Sequence, residues 1–463
     1  MQVVEREKLL GESEIPKLLL KFSVPAIVGM LVNALYNVVD MIFIGRGVGP
    51  LGIAGVRMGF PIIIVSMAFS MLIGIGANSL ISIRLGQKRK EDAELILGNA
   101  MVAMVVIALS LSILGLVFMN PLLRVFGASE SVMPYAQDYL SIVLYGAIFQ
   151  IIGMGMNNFI RGEGNPKIAM VTMLIGAILN TILDPIFIFV FRWGIKGAAL
   201  ATILSQAVSG TWVLYYFFYG NSLLKVRKAN LRVKPEILRS IIAIGLAPFS
   251  MQLAASVLII FMNKGLTEYG GDIAVSAMGV INNIAMLFMM TVFGINQGAQ
   301  PIIGFNYGAK KYDRVKTTLK YAIGAATTVV TIGFILTRLF PTQIIGIFSD
   351  DPQLIELGAK GLKRFLIFWP IVGFQVVSSS YFQAVGKAKQ SMFLSLSRQV
   401  IILIPMIIIL PKFLGLIGLF TAGPVADLVS SILTAIFLFY ELKHLDRQHE
   451  DERINPKPQL GDI

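Results

Sequence analysis

The stretch GIGANSLISIRLGQKRKEDAE, residues 74–94, has a counterpart in NQGAQPIIGFNYGAKKYDRVK, residues 296–316. Gly76-Ala77-Asn78 falls on Gly298-Ala299-Gln300, and Gly86-Gln87-Lys88-Arg89 on Gly308-Ala309-Lys310-Lys311. Each copy runs from an apolar segment into a basic loop. Further pairs keep the same order: Pro25 with Pro248, Phe149-Gln150 with Phe374-Gln375, and Gly194 and Gly197 with Gly415 and Gly418. Apolar segments share few residue types and align easily, but several markers in one order along both halves point to an internal repeat.

Of 463 residues, 56% are hydrophobic and 14% charged. Apolar runs of about 20 residues or more recur along the chain, long enough to cross a hydrocarbon core of roughly 30 Å as helices. Barrel strands would alternate instead. Spans are expected near 17–45, 51–83, 93–120, 131–160, 167–191, 195–220, 236–263, 273–305, 312–340, 353–385, 389–411 and 415–442. The fold class is therefore an all-α membrane protein of about twelve transmembrane helices. The repeat groups them into two six-helix bundles in the same orientation, related by a pseudo-two-fold axis along the membrane normal. The expected organisation is an amino-terminal segment 1–16, a first lobe 17–220, a linker 221–235, a second lobe 236–442 and a polar tail 443–463.

The formal net charge of +13 is distributed by loop. RLGQKRKEDAE, RGEGNPK, KVRKANLRVK, YGAKKYDRVK and GKAK are rich in Lys and Arg, whereas the alternate loops GRGVGPLG, FGASES, TEYGGD and FSDDPQ are poorer. The positive-inside rule makes the basic set, with both termini, cytoplasmic. The charge reads as topology and gives no reason to expect a nucleic-acid partner. The polar amino terminus lacks the layout of a cleaved signal. There is no cysteine, and the only histidines, His444 and His449, lie in the tail. With no membrane histidine, nucleophile–base pair or nucleotide loop, no enzymatic activity, cofactor or metal centre is expected.

The repeat breaks at two acids. Asp40 falls on Asn263, and Asp184 falls near Ile408 with no acid close by. Asp40 lies six residues before Arg46, Asp184 seven before Phe191 and Thr202 seven after Ile195. At about 1.5 Å per residue, all three sit roughly 10 Å below one surface. Asn180 and Asp184 share a helix face at four-residue spacing. Asn33, Tyr36, Asn37 and Asp40 form a polar stripe on the first span, which should face a cavity. An ionised carboxylate at that depth is costly, so it should be paired, hydrated or protonated, and is suited to proton exchange. Pro185 loosens the helix beside Asp184. One solvated acid near a helix end would explain Asp40 alone; the matching level of Asp184, Asn180 and Thr202 argues against it. Arg398 and Asp427 in the other lobe read as a structural ion pair, the alternative being that they flank a cavity. The 22 methionines are ordinary bilayer packing or the lining of an adaptable cavity.

Together these motifs resemble the multidrug and toxic compound extrusion family. The resemblance rests on Pro25, Leu35-Tyr36-Asn37-x-x-Asp40, Phe43-Ile44-Gly45, Arg161-Gly162-Glu163-Gly164-Asn165-Pro166-Lys167, Asn180-x-x-x-Asp184-Pro185 and Gly194-x-x-Gly197-Ala198-Ala199-x-Ala201-Thr202. It implies a V-shaped pair of bundles in a bacterial cell membrane, exporting lipophilic, often cationic organic compounds against inward H+ or Na+ flow. Asp40, Asn180, Asp184 and Thr202 match the cation-coupling positions of DinF-type members, and Pro25 matches the proline at which the first helix bends. NorM-type members use acids in spans seven and ten, where this chain has none at depth. The expected activity is a drug/proton antiporter acting as a monomer, with Asp40 and Asp184 as the coupling pair and Asn33, Tyr36 and Asn37 lining the substrate cavity. Sodium is the alternative coupling ion. A lipid-precursor flippase is the alternative function, and it would favour a basic cavity. A major-facilitator transporter is a further rival, but the loop after span two lacks that group's Asp-Arg pair.

Overall fold

The computed structural model describes the backbone of residues 2–454 and the side chains of 6–448. The end of the expected tail, with the His449 side chain, lies outside that range. Among the described residues every regular element is a helix. A short α1 (Gln2–Glu12) precedes α2 (Ile15–Gly47), α3 (Pro50–Gly86), α4 (Lys90–Val117), α5 (Met119–Val125), α6 (Met133–Gly162), α7 (Pro166–Pro185) and α8 (Gly194–Phe218). A loop leads to α9 (Pro235–Gly308), α10 (Tyr312–Leu339), α11 (Pro341–Gly346), α12 (Pro352–Phe365), α13 (Trp369–Ala384), α14 (Ala388–Leu396), α15 (Ile404–Leu414) and α16 (Leu416–Ile454). Prolines in the first turns of α3, α7, α9 and α12 start these helices where a missing N–H does no harm.

Nine of the described helices are long and apolar enough to cross a membrane, or eleven when each of two bent pairs is taken as one span. The 74 residues of α9 hold two crossings, because Gly271 (φ 65°, ψ −166°) breaks the helical path midway. That glycine supplies a conformation other residues rarely adopt. With α9 counted twice, the twelve crossings expected from the sequence are recovered. The sequence pattern did not show that the fourth span bends by 55° beyond Tyr145, or the tenth by 53° between α12 and α13.

Backbone conformation carries the repeat as clearly as residue identity does. Positive φ occurs at Gly49 (91°) and Gly271 (65°), Lys88 (60°) and Lys310 (59°), Gly164 (94°) and Gly386 (79°), and Gly194 (54°) and Gly415 (58°). A wide π turn follows α7 at Ile186–Val190, and another follows α14 at Ser397–Leu403.

The two bundles meet through a reciprocal contact. A Cβ added to Gly86 would stand 1.9 Å from the Phe305 carbonyl oxygen, and one added to its repeat partner Gly308 would stand 2.1 Å from that of Ile83. Gly76 approaches the Ile241 carbonyl, and Gly245 that of Leu72, equally closely. Thus α3 packs backbone to backbone on both legs of α9 at the end bearing the basic loops. Toward the other end α2 exposes Leu35 and Val38, while α9 exposes Ile260, Met286 and Leu287, and the bundles diverge as a V.

Two terminal segments are more ordered than a polar sequence suggests. In α1, Leu10 is buried, and the helix ties the bundles together. Arg6 donates to Glu163 (2.9 Å), the Tyr216 hydroxyl (3.2 Å) and the Asn221 carbonyl (2.9 Å) of the first bundle. The carbonyls of Leu10, Gly11 and Ser13 accept from Asn306 (3.0 Å), Lys311 (3.0 Å) and Arg314 (2.7 Å to Ser13) of the second. At the other terminus, α16 continues past 442 because Leu445 is still buried against the bundle.

Candidate functional site

The first bundle brings α2, α6, α7 and α8 together around two acids. Asp40 on α2 and Asp184 on α7 are buried, and their carboxyls lie within hydrogen-bonding reach of each other. Asn180, one turn before Asp184, donates to Asp184 Oδ1 at 3.3 Å and reaches Thr202 Oγ1 on α8 at 3.5 Å. Thr202 itself donates to the Ala198 carbonyl at 3.0 Å, so its lone pairs face the cluster.

Local sequence explains this placement. Pro185 cannot donate to the preceding turn, and the helix widens into the π turn directly after it. Gly197 allows α8 close to that turn: a Cβ there would lie 2.8 Å from the Phe187 carbonyl. The small run Ala198-Ala199-x-Ala201 is fully buried and lets Thr202 approach Asn180. Gly29 on α2 meets Met173 on α7 across the same seam.

Several acceptors in the cluster are left without a partner: Asp40 Oδ1, Asp184 Oδ2 and Asn180 Oδ1. Buried polar atoms are ordinarily satisfied. Two touching carboxyls cannot both carry charge without a proton or cation between them. The ligand set is entirely oxygen, which suits a proton or a small hard cation.

The four residues read as cation-coupling, Asp40, Asn180, Asp184 and Thr202, are therefore assembled in one place. The polar stripe of α2 divides. Tyr36 turns toward both acids, whereas Asn33 and Asn37 lie on the exposed face, where Asn37 donates to the Asn33 carbonyl at 2.7 Å. Asn37 also borders a shallow cleft of about 640 Å³ with Met41, Gly45 and Ile53. Pro25 is buried within the unbroken α2, two residues from Ser23, which donates to the Ile295 carbonyl of the second bundle at 3.4 Å. Arg398 and Asp427 form an ion pair at 2.7 Å between the second π turn and α16.

One member was missed. Tyr139 on α6 is buried and lies close to Asp40, Tyr36, Thr202 and Asp184. It lies six residues into α6, so the depth argument that grouped the acids would have found it at roughly 9 Å.

Two parallel repeats packed at one end, with an oxygen-only acid cluster buried in one of them, are the architecture of a membrane transporter. The chain belongs to the MatE family, whose family model matches residues 25–186 and again 248–409, one copy per bundle. It is 28% identical to "Multidrug export protein MepA" of Staphylococcus haemolyticus, over 94% of this chain and 95% of that protein. It is 25% identical to the same-named protein of Staphylococcus aureus over 93% and 95% of the two chains. Among solved structures, "MATE in the bent conformation" superposes with a TM-score of 0.91 at 26% identity, covering 96% of this chain and 99% of that one. A MOP superfamily transporter from Pyrococcus furiosus, described as having a binding pocket of reverse polarity, gives 0.89 at 27% identity, with 95% and 98% covered.

Proposed function

We propose that the protein exports lipophilic, cationic organic compounds from a bacterial cell in exchange for H+, acting as a monomer, with Asp40 and Asp184 as the coupling pair. The observation that carries this reading is the contact between two buried carboxyls with unpartnered oxygens. The full-length similarity to proteins described as multidrug exporters supports the export half. The basic end is assigned to the cytoplasm by the positive-inside rule.

In this account the cavity is anionic while Asp40 is ionised and holds a lipophilic cation near Tyr36, Asn33 and Asn37. Protons entering from outside neutralise Asp40, with Asp184 sharing the charge, and the cation leaves. Bending of α2 at Pro25 then closes the cavity. Antiport follows only because proton and drug favour different states; a ligand binding both equally would shift nothing. The acids sit in the amino-terminal bundle, which fits the DinF-type branch. Asp40→Asn should abolish resistance to lipophilic cations in a drug-sensitive host while the protein reaches the membrane at wild-type levels; unchanged resistance would refute the assignment.

A second reading has its own support. Three unpartnered acceptors beside Thr202 Oγ1 form a ready set for Na+, which would then replace H+ as the coupling ion at the same residues.

A further inference from the structure

A second polar feature lies far from the acid cluster, at the end bearing the basic loops. There α1, the start of α2 and the turn into α7 enclose a cavity of about 690 Å³, lined among others by Arg6, Lys8, Glu12, Lys21, Asn165 and Lys167. Basic side chains around this end commonly find acids: Arg89 pairs with Asp92 (2.5 Å), Arg227 with Glu94 (2.9 Å) and Lys387 with Glu441 (2.5 Å). Lys8, Lys21 and Lys167 are exposed and have no carboxylate partner among the described residues. The one acid of this lining, Glu12, stands one helical turn from Lys8 without pairing with it, and lies in the field of Arg314.

Two further observations favour an anion. The amino terminus of the 20-residue α7 opens here, and Asn165 caps only the Ile168 N–H, at 3.4 Å. Pro166 has no N–H and Ala169 donates to the Asn165 carbonyl at 3.3 Å, so the Lys167 N–H is the donor of that turn left for a ligand, and the helix dipole favours negative charge at this end. Beside Lys21, α2 exposes Leu20, Val24 and Val28 at four-residue spacing, an apolar stripe leading away from the cavity along the helix. A soluble anion would need only the cations; the stripe matches a molecule with a charged head and apolar chains.

We propose that this cavity binds a phosphate group carried by an anionic lipid, with the acyl chains along Leu20, Val24 and Val28. The headgroup would bridge α1 to α7 next to the Arg6–Glu163 pair, reinforcing the tie between the bundles.

The test uses the full chain purified in detergent and in nanodiscs. Native mass spectrometry counts retained phosphatidylglycerol against phosphatidylcholine for the wild type, for Lys8→Gln/Lys21→Gln/Lys167→Gln, and for a control, Lys320→Gln/Lys412→Gln, at exposed lysines elsewhere. The expected result is preferential retention of phosphatidylglycerol by the wild type and control, and loss of one retained molecule in the triple variant, with Tm in phosphatidylcholine unchanged. The single substitutions give the same ordering should the triple variant fail to accumulate. Equal retention in wild type and triple variant, or no preference for the anionic lipid, overturns the proposal. In a parallel arm, inorganic phosphate is titrated into the detergent-solubilised protein. A Tm rise matching that from phosphatidylglycerol, and lost in the triple variant, would assign the site to a soluble anion and overturn the lipid carrier.

Discussion

Asp40 on α2 and Asp184 on α7 hold their carboxyls within hydrogen-bonding reach, deep in one bundle, with Asn180 donating to Asp184 at 3.3 Å. Two acids in contact act as a unit, so their substitutions should not add. Asp184→Asn is expected to lose gradient-driven efflux as fully as Asp40→Asn, and the double variant to be no worse than either. Additive losses, measured as initial efflux rates in vesicles, would mean that the acids work independently.

Tyr139 reaches the cluster from α6, beside Thr202. Tyr139→Phe removes a buried hydroxyl at the edge of the cluster, and a polar group so placed is worth about 1 kcal/mol. Thermal unfolding should show a modest fall in Tm for Tyr139→Phe and for Thr202→Val, and the pair together should fall by less than their sum. Equal wild-type Tm values in all three variants would show that Tyr139 is a bystander.

The reciprocal contact at Gly86 and Gly308 leaves no room for a side chain, since the added Cβ atoms would stand 1.9 and 2.1 Å from carbonyl oxygens of the opposite bundle. Gly308→Val should therefore push the bundles apart at the basic end. The chain has no cysteine, so Ser82→Cys gives a single probe at a buried site of this seam. A water-soluble maleimide should label it poorly in the parent and readily in the Gly308→Val background. Poor labelling in both would mean that the seam absorbs the methyl groups without opening.

Glu163 is wholly buried and accepts from Arg6, Tyr216, the Ser222 hydroxyl at 2.6 Å and the Leu223 N–H at 2.9 Å. Glu163→Ala leaves these donors unsatisfied, and breaking a buried ion pair from one side costs about 3–5 kcal/mol. Arg6→Ala should cost less, because the carboxylate keeps its other donors. The order of the two Tm losses checks this, and a larger loss for Arg6→Ala would place the stabilisation in α1 instead.

Sequence legibility followed the physics of each feature. The crossings and the repeat were readable because apolar length and loop charge are linear properties; Gly86 with Gly308 and Gly194 with Gly415 recur as structure as well as letters. The convergence of Asp40, Asn180, Asp184 and Thr202 was readable because helical rise converts position into depth. What could not be read was rotation about the helix axis. Asn33 and Asn37 share a stripe with Tyr36 and Asp40, and the structure shows the two asparagines exposed while Asp40 is buried beside α7. The tie formed by α1 was equally hidden, since its acceptors are main-chain carbonyls that every sequence possesses.

The central claim is that inward proton flow through the Asp40–Asp184 pair drives export. Its most direct test is efflux of a fluorescent lipophilic cation from proteoliposomes under an imposed H+ gradient or an imposed Na+ gradient, one at a time, for the wild type and Asp40→Asn. The account predicts transport driven by the H+ gradient in the wild type alone. Transport driven only by Na+, or H+-driven transport that survives Asp40→Asn, would contradict it.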